Sequence, residues 1–228
     1  MTSLLQSCIY IDANNGGPAP GGTTDRTFRL ANFTRLEMGN AFIVKVRRAA
    51  NFSLVATGDQ TDIDDLEAFV SQNDVLVLRY RNNRTRRYRM DVSVTMPDLR
   101  GVDFSGAVKS SIEGFDNLRN LDIELSGASK STAVVSAERV EIDLSGASQL
   151  NLRGSGLRLG GVLSGASQLD AFDYGVEDAD LDLSGASSGR VLVSKLLTVK
   201  ASGASDVRYR GNPELRSNLS GASTLRKD

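Results

Sequence analysis

The tripeptide Ser-Gly-Ala recurs seven times, beginning at Ser105, Ser126, Ser145, Ser164, Ser184, Ser202 and Ser220. The intervals are 21, 19, 19, 20, 18 and 18 residues, and in six copies the next residue is again Ser. A period this short and this constant is the signature of a stack of like units. The flanks say what the units are. Leu121-Asp122-Ile123-Glu124-Leu125, Val140-Glu141-Ile142-Asp143-Leu144 and Ala179-Asp180-Leu181-Asp182-Leu183 each lead into a corner, with apolar residues at every second place and acids between. A period of two is a strand with one buried face. A second alternation follows each corner, as at Leu150 and Leu152 or Val207 and Tyr209, and then a third short run such as Leu157-Arg158-Leu159 or Lys195-Leu196-Leu197.

Two or three short strands with tight corners fill about 20 residues. That leaves no room for helical repeats, and a propeller blade needs roughly 40 to 45 residues. The expected fold is all-β: a parallel β-helix, or solenoid, of about 20-residue coils stacked about 4.8 Å apart, with the apolar faces turned inward. Equivalent corners then lie directly over one another. Small Ser and Ala fit there, and Gly106, Gly127, Gly146, Gly165, Gly185, Gly203 and Gly221 supply the backbone freedom of the bend. The Ser column reads first as corner packing, with hydroxyls bonded to neighbouring backbone or to one another; as a binding surface it is the second reading.

Residues 26–100 are strand-rich but irregular. Phe42–Val46, Phe52–Ala56, Val75–Leu78 and Met90–Met96 read as strands, with Pro97 ending the last. Gly39-Asn40-Ala41 reads as a degenerate corner. Ile63–Val70 fits one or two turns of helix capped by Thr61 or Asp62. A solenoid must cover its first coil, so this segment is assigned to capping coils sharing one core with the regular repeats of 101–228. Residues 26–228 are thus one domain. Residues 1–25 are a separate lead: Leu5-Gln6-Ser7-Cys8 resembles a bacterial lipobox, with Cys8 as the lipidated residue, and Asn14–Gly22 is a Gly/Pro-rich tether. The stretch before Cys8 is too short for a complete signal, so the true start is expected upstream.

Candidate chemistry is sparse. The chain has no His and one Cys, which removes the commonest general base and any thiolate metal cage. Its 27 basic and 28 acidic residues balance to a net charge of -1, which argues against broad nucleic-acid binding. The one strong charge cluster is Arg79, Arg81, Arg84, Arg86, Arg87 and Arg89, with Tyr80 and Tyr88 among them. It reads as a long hairpin with its tip at Asn82–Thr85, the arginines on the solvent face or paired to acids; the alternative is a patch for an anionic surface sugar or lipid headgroup. Glu124, Asp143 and Asp182 share one register position, interrupted by Val162 and ended by Lys200. Stacked carboxylates repel unless a cation bridges them, and an outward solvated face is the simpler reading. No phosphate loop, zinc motif, Gly-x-Ser-x-Gly elbow or Gly-Gly-x-Gly-x-Asp repeat is present, so no cofactor, metal or catalytic residue is assigned.

The Leu-Ser-Gly-Ala-Ser corner, the apolar-acidic strand before it and the lipobox-like start together resemble the bacterial family called "putative auto-transporter adhesin", or head GIN domain, common in Bacteroidota. Phe33–Phe42 resembles its opening strand and Gly101–Ala107 its first clear corner. The resemblance implies a right-handed β-helix in the cell envelope and supplies no catalytic motif. The functional expectation is a non-catalytic, lipid-anchored envelope protein that offers a solenoid face to a glycan or protein partner. A self-associating structural module, joined through a solenoid end or face, is the alternative, and a polysaccharide-active β-helix enzyme the third reading. Nucleic acid is not an expected partner, and contact with membrane is expected only through the lipid.

Overall fold

The computed structural model describes residues 22–228. Cys8 and the lipobox-like segment lie outside the described residues. In chain order the elements are β1 (Thr24–Phe28), β2 (Arg35–Met38), β3 (Ile43–Arg48), β4 (Ser53–Gly58), α1 (Gln60–Asp64), β5 (Leu66–Val70), β6 (Val75–Tyr80), β7 (Asp91–Met96) and β8 (Gly101–Phe104). The long strands β9 (Lys109–Leu125), β10 (Lys130–Leu144), β11 (Gln149–Leu163), β12 (Gln168–Leu183) and β13 (Ser188–Ala201) follow, then β14 (Asp206–Gly211), β15 (Glu214–Leu219) and β16 (Thr224–Lys227). The chain forms a β-solenoid of about 7 turns, about 19 residues each. From β8 onward every coil pairs in parallel with the next, so Leu121, Val140, Leu159, Ala179 and Leu197 line up across five coils. All of them are buried, in one apolar cluster that runs from Phe33 to Val207. The period-two alternation is the cause: alternate side chains of each strand point into the cylinder.

The corners close this ladder rather than interrupt it. At each one the Ser amide donates to the carbonyl of the apolar residue that precedes the corner one coil back, as Ser145 does to Leu125 at 2.9 Å and Ser164 to Leu144 at 2.8 Å. The Ala amide donates to the glycine carbonyl below, Ala147 to Gly127 and Ala166 to Gly146, both at 2.7 Å. The corner glycines hold φ between +68° and +75°. A Cβ on any of Gly127 to Gly221 would meet the carbonyl oxygen of the glycine below at less than 3 Å. Glycine is therefore required twice, by the left-handed bend and by the stacking distance. Gly39-Asn40-Ala41 is the first corner of the same series: Asn40 takes φ +67°, and its carbonyl accepts from the Ala107 amide at 2.6 Å.

The N-terminal coils are not stacked in chain order. β2 pairs with β6 on one side and β8 on the other, and β3 likewise lies between β7 and β9. The coil made by β6 and β7 therefore sits beneath the first coil, and the chain then crosses back to begin β8 above it. Antiparallel strands cover that end: β4 pairs with β7, β1 with β4, and β5 with β6. The helix is shorter and earlier than Ile63–Val70. Asp59, not Thr61 or Asp62, is its N-cap, with its side chain accepting from the Thr61 amide at 2.9 Å. Leu66–Val70 is a strand because β6 offers it an edge; alone, its apolar spacing fits either period. Ile63 and Leu66, 2% and 0% exposed, plug the cylinder.

Residues 79–89 do not form a hairpin, for β6 and β7 do not pair with each other. Met38 pairs with Leu78 and Ile43 with Asp91, so residues 79–90 stand where the other coils have a four-residue corner. The arginine-rich segment is an enlarged corner at the capped end.

Candidate functional site

The enlarged corner is held from within. Arg86 pairs with Asp62 at 2.6 Å and with Asp65, and its side chain is 13% exposed. Its guanidinium stacks on Tyr80, 3.9 Å from the ring centroid. Arg84 reaches Asp62 at 3.1 Å, Arg79 reaches Glu67 at 3.0 Å, Arg89 reaches Asp91 at 2.6 Å, and Arg81 donates to the Leu66 carbonyl at 3.3 Å. The hydrogen bond from Arg86 holds the Asp65 carboxyl below its ordinary range, and burial pushes the Tyr80 phenol far above its own. Of the six arginines only Arg87 has no such partner among the described residues. Arg84 and Arg86 thus pin the corner to α1 and its C-cap, Arg79 and Arg89 pair with acids of β5 and β7, and Arg81 and Arg87 face no carboxylate among the described residues.

The serine column resolves into two. The first Ser of each motif, from Ser105 to Ser202, is half-buried on the ridge. The buried one is the fourth residue: Ser129, Ser148, Ser167, Ser187 and Ser205 are 0–1% exposed. Ser187 and Ser205 donate to the carbonyls of Ser184 and Ser202 at 2.7 and 2.8 Å. The Ser129 and Ser148 hydroxyls have no partner. The repeated fourth Ser was visible in the sequence, but nothing there separated it from the first.

The ridge divides two flat faces of unlike charge. On the strands before it, register stacks Glu37, Asp103, Glu124 and Asp143 in one unbroken column, continued by Val162, Asp182 and Lys200. The acid column thus begins two coils earlier than the regular repeats suggested. Burial, and then the Glu37 charge, raise the Asp103 carboxyl above its ordinary range; burial, and then Asp103 and Asp143, raise Glu124. Beside this column a shallow hollow of about 480 Å³ is bordered by Glu141, Asp180 and Asp182, with the Glu141 carboxylate lying over Gly160. Glu141 is engaged by Arg139 at 3.3 Å. Every coil here turns on the same tight corner, so no inserted loop walls the hollow into a cleft. Among the described residues no cluster of three or more acids is placed to hold a metal ion.

The strands after the ridge present amides, hydroxyls and cations. One outward column runs Ile43, Lys109, Lys130, Gln149, Gln168, Ser188; the next runs Lys45, Ser111, Thr132, Asn151, Asp170, Arg190. A shallow trough of about 580 Å³ lies along them. Toward the C-terminal end its cations are engaged: Arg190 pairs with Asp170 at 3.1 Å, and Arg190 and Arg210 both stack on Phe172, at 4.5 and 4.1 Å. At the other end Lys45, Lys109 and Lys130 have no carboxylate partner among the described residues. The sequence hid this cluster, because the three lysines come together only by coil register.

Comparison with known proteins places this geometry. A crystal structure named as a putative adhesin from Bacteroides fragilis NCTC 9343 superposes with a TM-score of 0.81 at 18% identity, covering 93% of this chain and 99% of that one. One of the same name from Parabacteroides merdae ATCC 43184 gives 0.72 at 14% identity, covering 94% and 99%. A structure named as a putative lipid binding protein, from Parabacteroides distasonis ATCC 8503, gives 0.74 at 13% identity, covering 93% and 98%. At these identities the likeness is one of fold. No curated protein sequence matches the chain. A family profile matches residues 32–213, which takes in the irregular coils and the corners from Ser105 to Ser202. The chain belongs to that family, described as "Putative auto-transporter adhesin, head GIN domain".

Proposed function

We propose that the chain is a non-catalytic surface-binding protein of the cell envelope, and that it binds through the flat polar face after the Ser-Gly-Ala ridge. The observation that carries the reading is the make-up of that face: Ser111, Thr132, Gln149, Asn151 and Gln168 stand in register on adjacent strands beside a shallow trough. Outward amides and hydroxyls at strand spacing suit a partner rich in hydroxyl groups. The adhesin names of the family and of the superposed structures agree with it. Among the described residues no helix is long and apolar enough to cross a membrane; attachment through a lipid on Cys8 is part of the proposal. Lipid labelling of the protein expressed from its true upstream start tests the anchor. A glycan array and a pull-down on envelope material test the binding, and blanks in both would remove it.

A second reading has its own observation. The coil of β15 and β16 leaves Leu215 and Leu219 43% and 40% exposed, at places that every earlier coil buries. The other end of the solenoid is closed by antiparallel strands, so two copies would meet tail to tail and stop at a dimer. Light scattering across concentration tests this: a dimer lost in a Leu215→Lys, Leu219→Lys variant supports it, and a monomer throughout removes it.

A further inference from the structure

We infer that Lys45, Lys109 and Lys130, with Ser111 and Thr132, form a binding site for an acidic linear glycan whose carboxylates meet the three ammonium groups. This rests on the proposal that the face after the ridge is the binding face, and it names the ligand class.

Coil register brings the three lysines together. Lys109 and Lys130 are directly opposite on adjacent parallel strands, about 4.8 Å apart. Lys45 stands opposite Ser111, and Ser111 opposite Thr132, in the neighbouring outward column. The three stems therefore rise from a patch only about 12 Å across. Like charges directly opposite on a sheet destabilise it. The chain could have neutralised them, as it does elsewhere: Arg47 has Glu113 at 3.8 Å, Arg208 has Asp206 at 3.2 Å, and Arg210 has Asp228 at 2.7 Å. Around the lysines the register places Ile43, Ser93, Gln149 and Asn151 as direct neighbours, and the acids at the diagonal positions, Asp91 and Glu113, are taken up by Arg89 and Arg47. A polyanion offsets the repulsion that the fold leaves standing.

The surroundings choose among polyanions. The trough that passes the lysines goes on along the solenoid axis past Gln149, Asn151 and Gln168, amides suited to sugar hydroxyls. No aromatic side chain lines it, so there is no platform on which nucleic-acid bases could stack. No large apolar side chain of the trough is exposed for insertion into a lipid surface; Leu150 and Leu169 in its floor are buried. A chain of sugars with carboxylates at intervals satisfies both the cationic end and the neutral amide run.

The test uses the whole chain and oligogalacturonate as probe, read by calorimetry at low and at raised salt. A neutral galacto-oligosaccharide of equal length and phosphatidylglycerol vesicles form the other arms. Oligogalacturonate should bind, weaken with salt, and lose roughly ten-fold or more in affinity in Lys109→Gln, Lys130→Gln. A Lys200→Gln, Lys227→Gln variant, with the same change in net charge, should bind as the parent does. Absence of binding, equal loss in both variants, or lysine-dependent binding of the vesicles alone would overturn the proposal. Lysine-independent binding of the neutral sugar would also overturn it while leaving the surface-binding reading intact. The Lys109→Gln, Lys130→Gln variant should melt no lower than the parent, since it relieves the repulsion between adjacent strands, so that a loss of binding there reports the site and not unfolding.

Discussion

The phenol of Tyr174 occupies the space that a side chain at Gly156 would need. A Cβ on Gly156 would lie 2.5 Å from the Tyr174 hydroxyl and 2.5 Å from the Ala137 carbonyl oxygen. That same hydroxyl donates to Ala137 at 3.4 Å, so one side chain ties β12 to a strand two coils away. Burial raises the phenol to about 12, against a smaller opposing effect of that hydrogen bond. Gly156→Ala should therefore destabilise the chain by about 1–3 kcal/mol through overpacking, and Tyr174→Phe by about 0.5–1.5 kcal/mol through the lost hydrogen bond. The double variant should cost less than the sum, since without the hydroxyl one of the two clashes is gone and only that with the Ala137 carbonyl remains. Denaturant melts of the three variants check this.

The corner glycines grade by position. Gly146→Ala meets both a φ of +71° and the Gly127 carbonyl below, and should cost about 2–4 kcal/mol. Ser145→Ala, on the half-buried ridge, should stay within about 0.5 kcal/mol. Gly221→Ala has the same φ strain and the same clash with Gly203 below, but its coil is covered on one side only and can shift. Its loss should be clearly smaller than that of Gly146→Ala. Equal losses at the two glycines would mean that the last coil is as rigid as the interior.

Much of this was legible because the repeat writes the register directly: corners from Ser105 to Ser220 are spaced by the coil itself, and the degenerate one at Gly39-Asn40-Ala41 was readable from its composition although its spacing to Ser105 is not that of one coil. What was not legible depends on contacts between coils. The placing of β6 and β7 beneath β2 and β3 could not be read, because the corner between them is swollen to residues 79–90 and no longer resembles one. Leu66–Val70 took its strand conformation from the edge of β6, a tertiary effect that local periodicity does not carry. The acid column gained Glu37 and Asp103, and the lysine cluster became a cluster, only when the irregular coils were in register with the regular ones.

Removing Arg86 should loosen the cap and spare the solenoid. Arg86→Gln deprives Asp62 and Asp65, about a tenth exposed at the side chain, of the more buried of their two shared cations and leaves them Arg84 at 3.1 and 3.9 Å. Amide exchange should rise by an order of magnitude or more over residues 60–90. Residues 120–200, whose hydrogen bonds are made between coils, should keep their protection. Uniform loss of protection would show instead that the cap and the regular coils unfold as one unit.

The stacked acids give a pH dependence of definite sign. Asp103 and Glu124 have carboxyls raised first by burial and then by neighbouring charges, Glu37 on Asp103 and Asp103 with Asp143 on Glu124, so the folded chain binds their protons more tightly than the unfolded chain does. Their contribution to stability is therefore most favourable below the ordinary carboxylate range, and is lost as pH rises through their elevated values. Asp65 and Asp206 are shifted the other way, by hydrogen bonds from Arg86 and Thr224, and favour the higher pH. Glu124→Gln should raise Tm at pH 7, where the parent carries the repelling charge, and leave Tm unchanged at pH 3, where it does not. An equal gain at both pH values would attribute the effect to packing and not to charge.

The buried serines allow a contrast within one repeated position. Ser148 and Ser187 occupy the same place in corners two coils apart, 0% and 1% exposed, and the backbone around them is alike. The Ser187 hydroxyl donates to the Ser184 carbonyl at 2.7 Å, whereas that of Ser148 meets no acceptor. A buried hydroxyl without a partner costs about 1–3 kcal/mol, and a net hydrogen bond contributes about 0.5–1.5 kcal/mol. Ser148→Ala should thus be neutral or stabilising by up to about 1 kcal/mol, while Ser187→Ala should destabilise by about 1 kcal/mol. Ala fits either place, since each corner already seats one beside it. Denaturation midpoints of the two single variants decide the matter: equal and unfavourable shifts would mean that the Ser148 hydroxyl turns to a neighbouring carbonyl in solution, as Ser167 does to Leu144 at 3.2 Å. The fourth residue of the six motifs that carry Ser there would then serve that bond, and its repetition in the sequence would record a second ladder running inside the first.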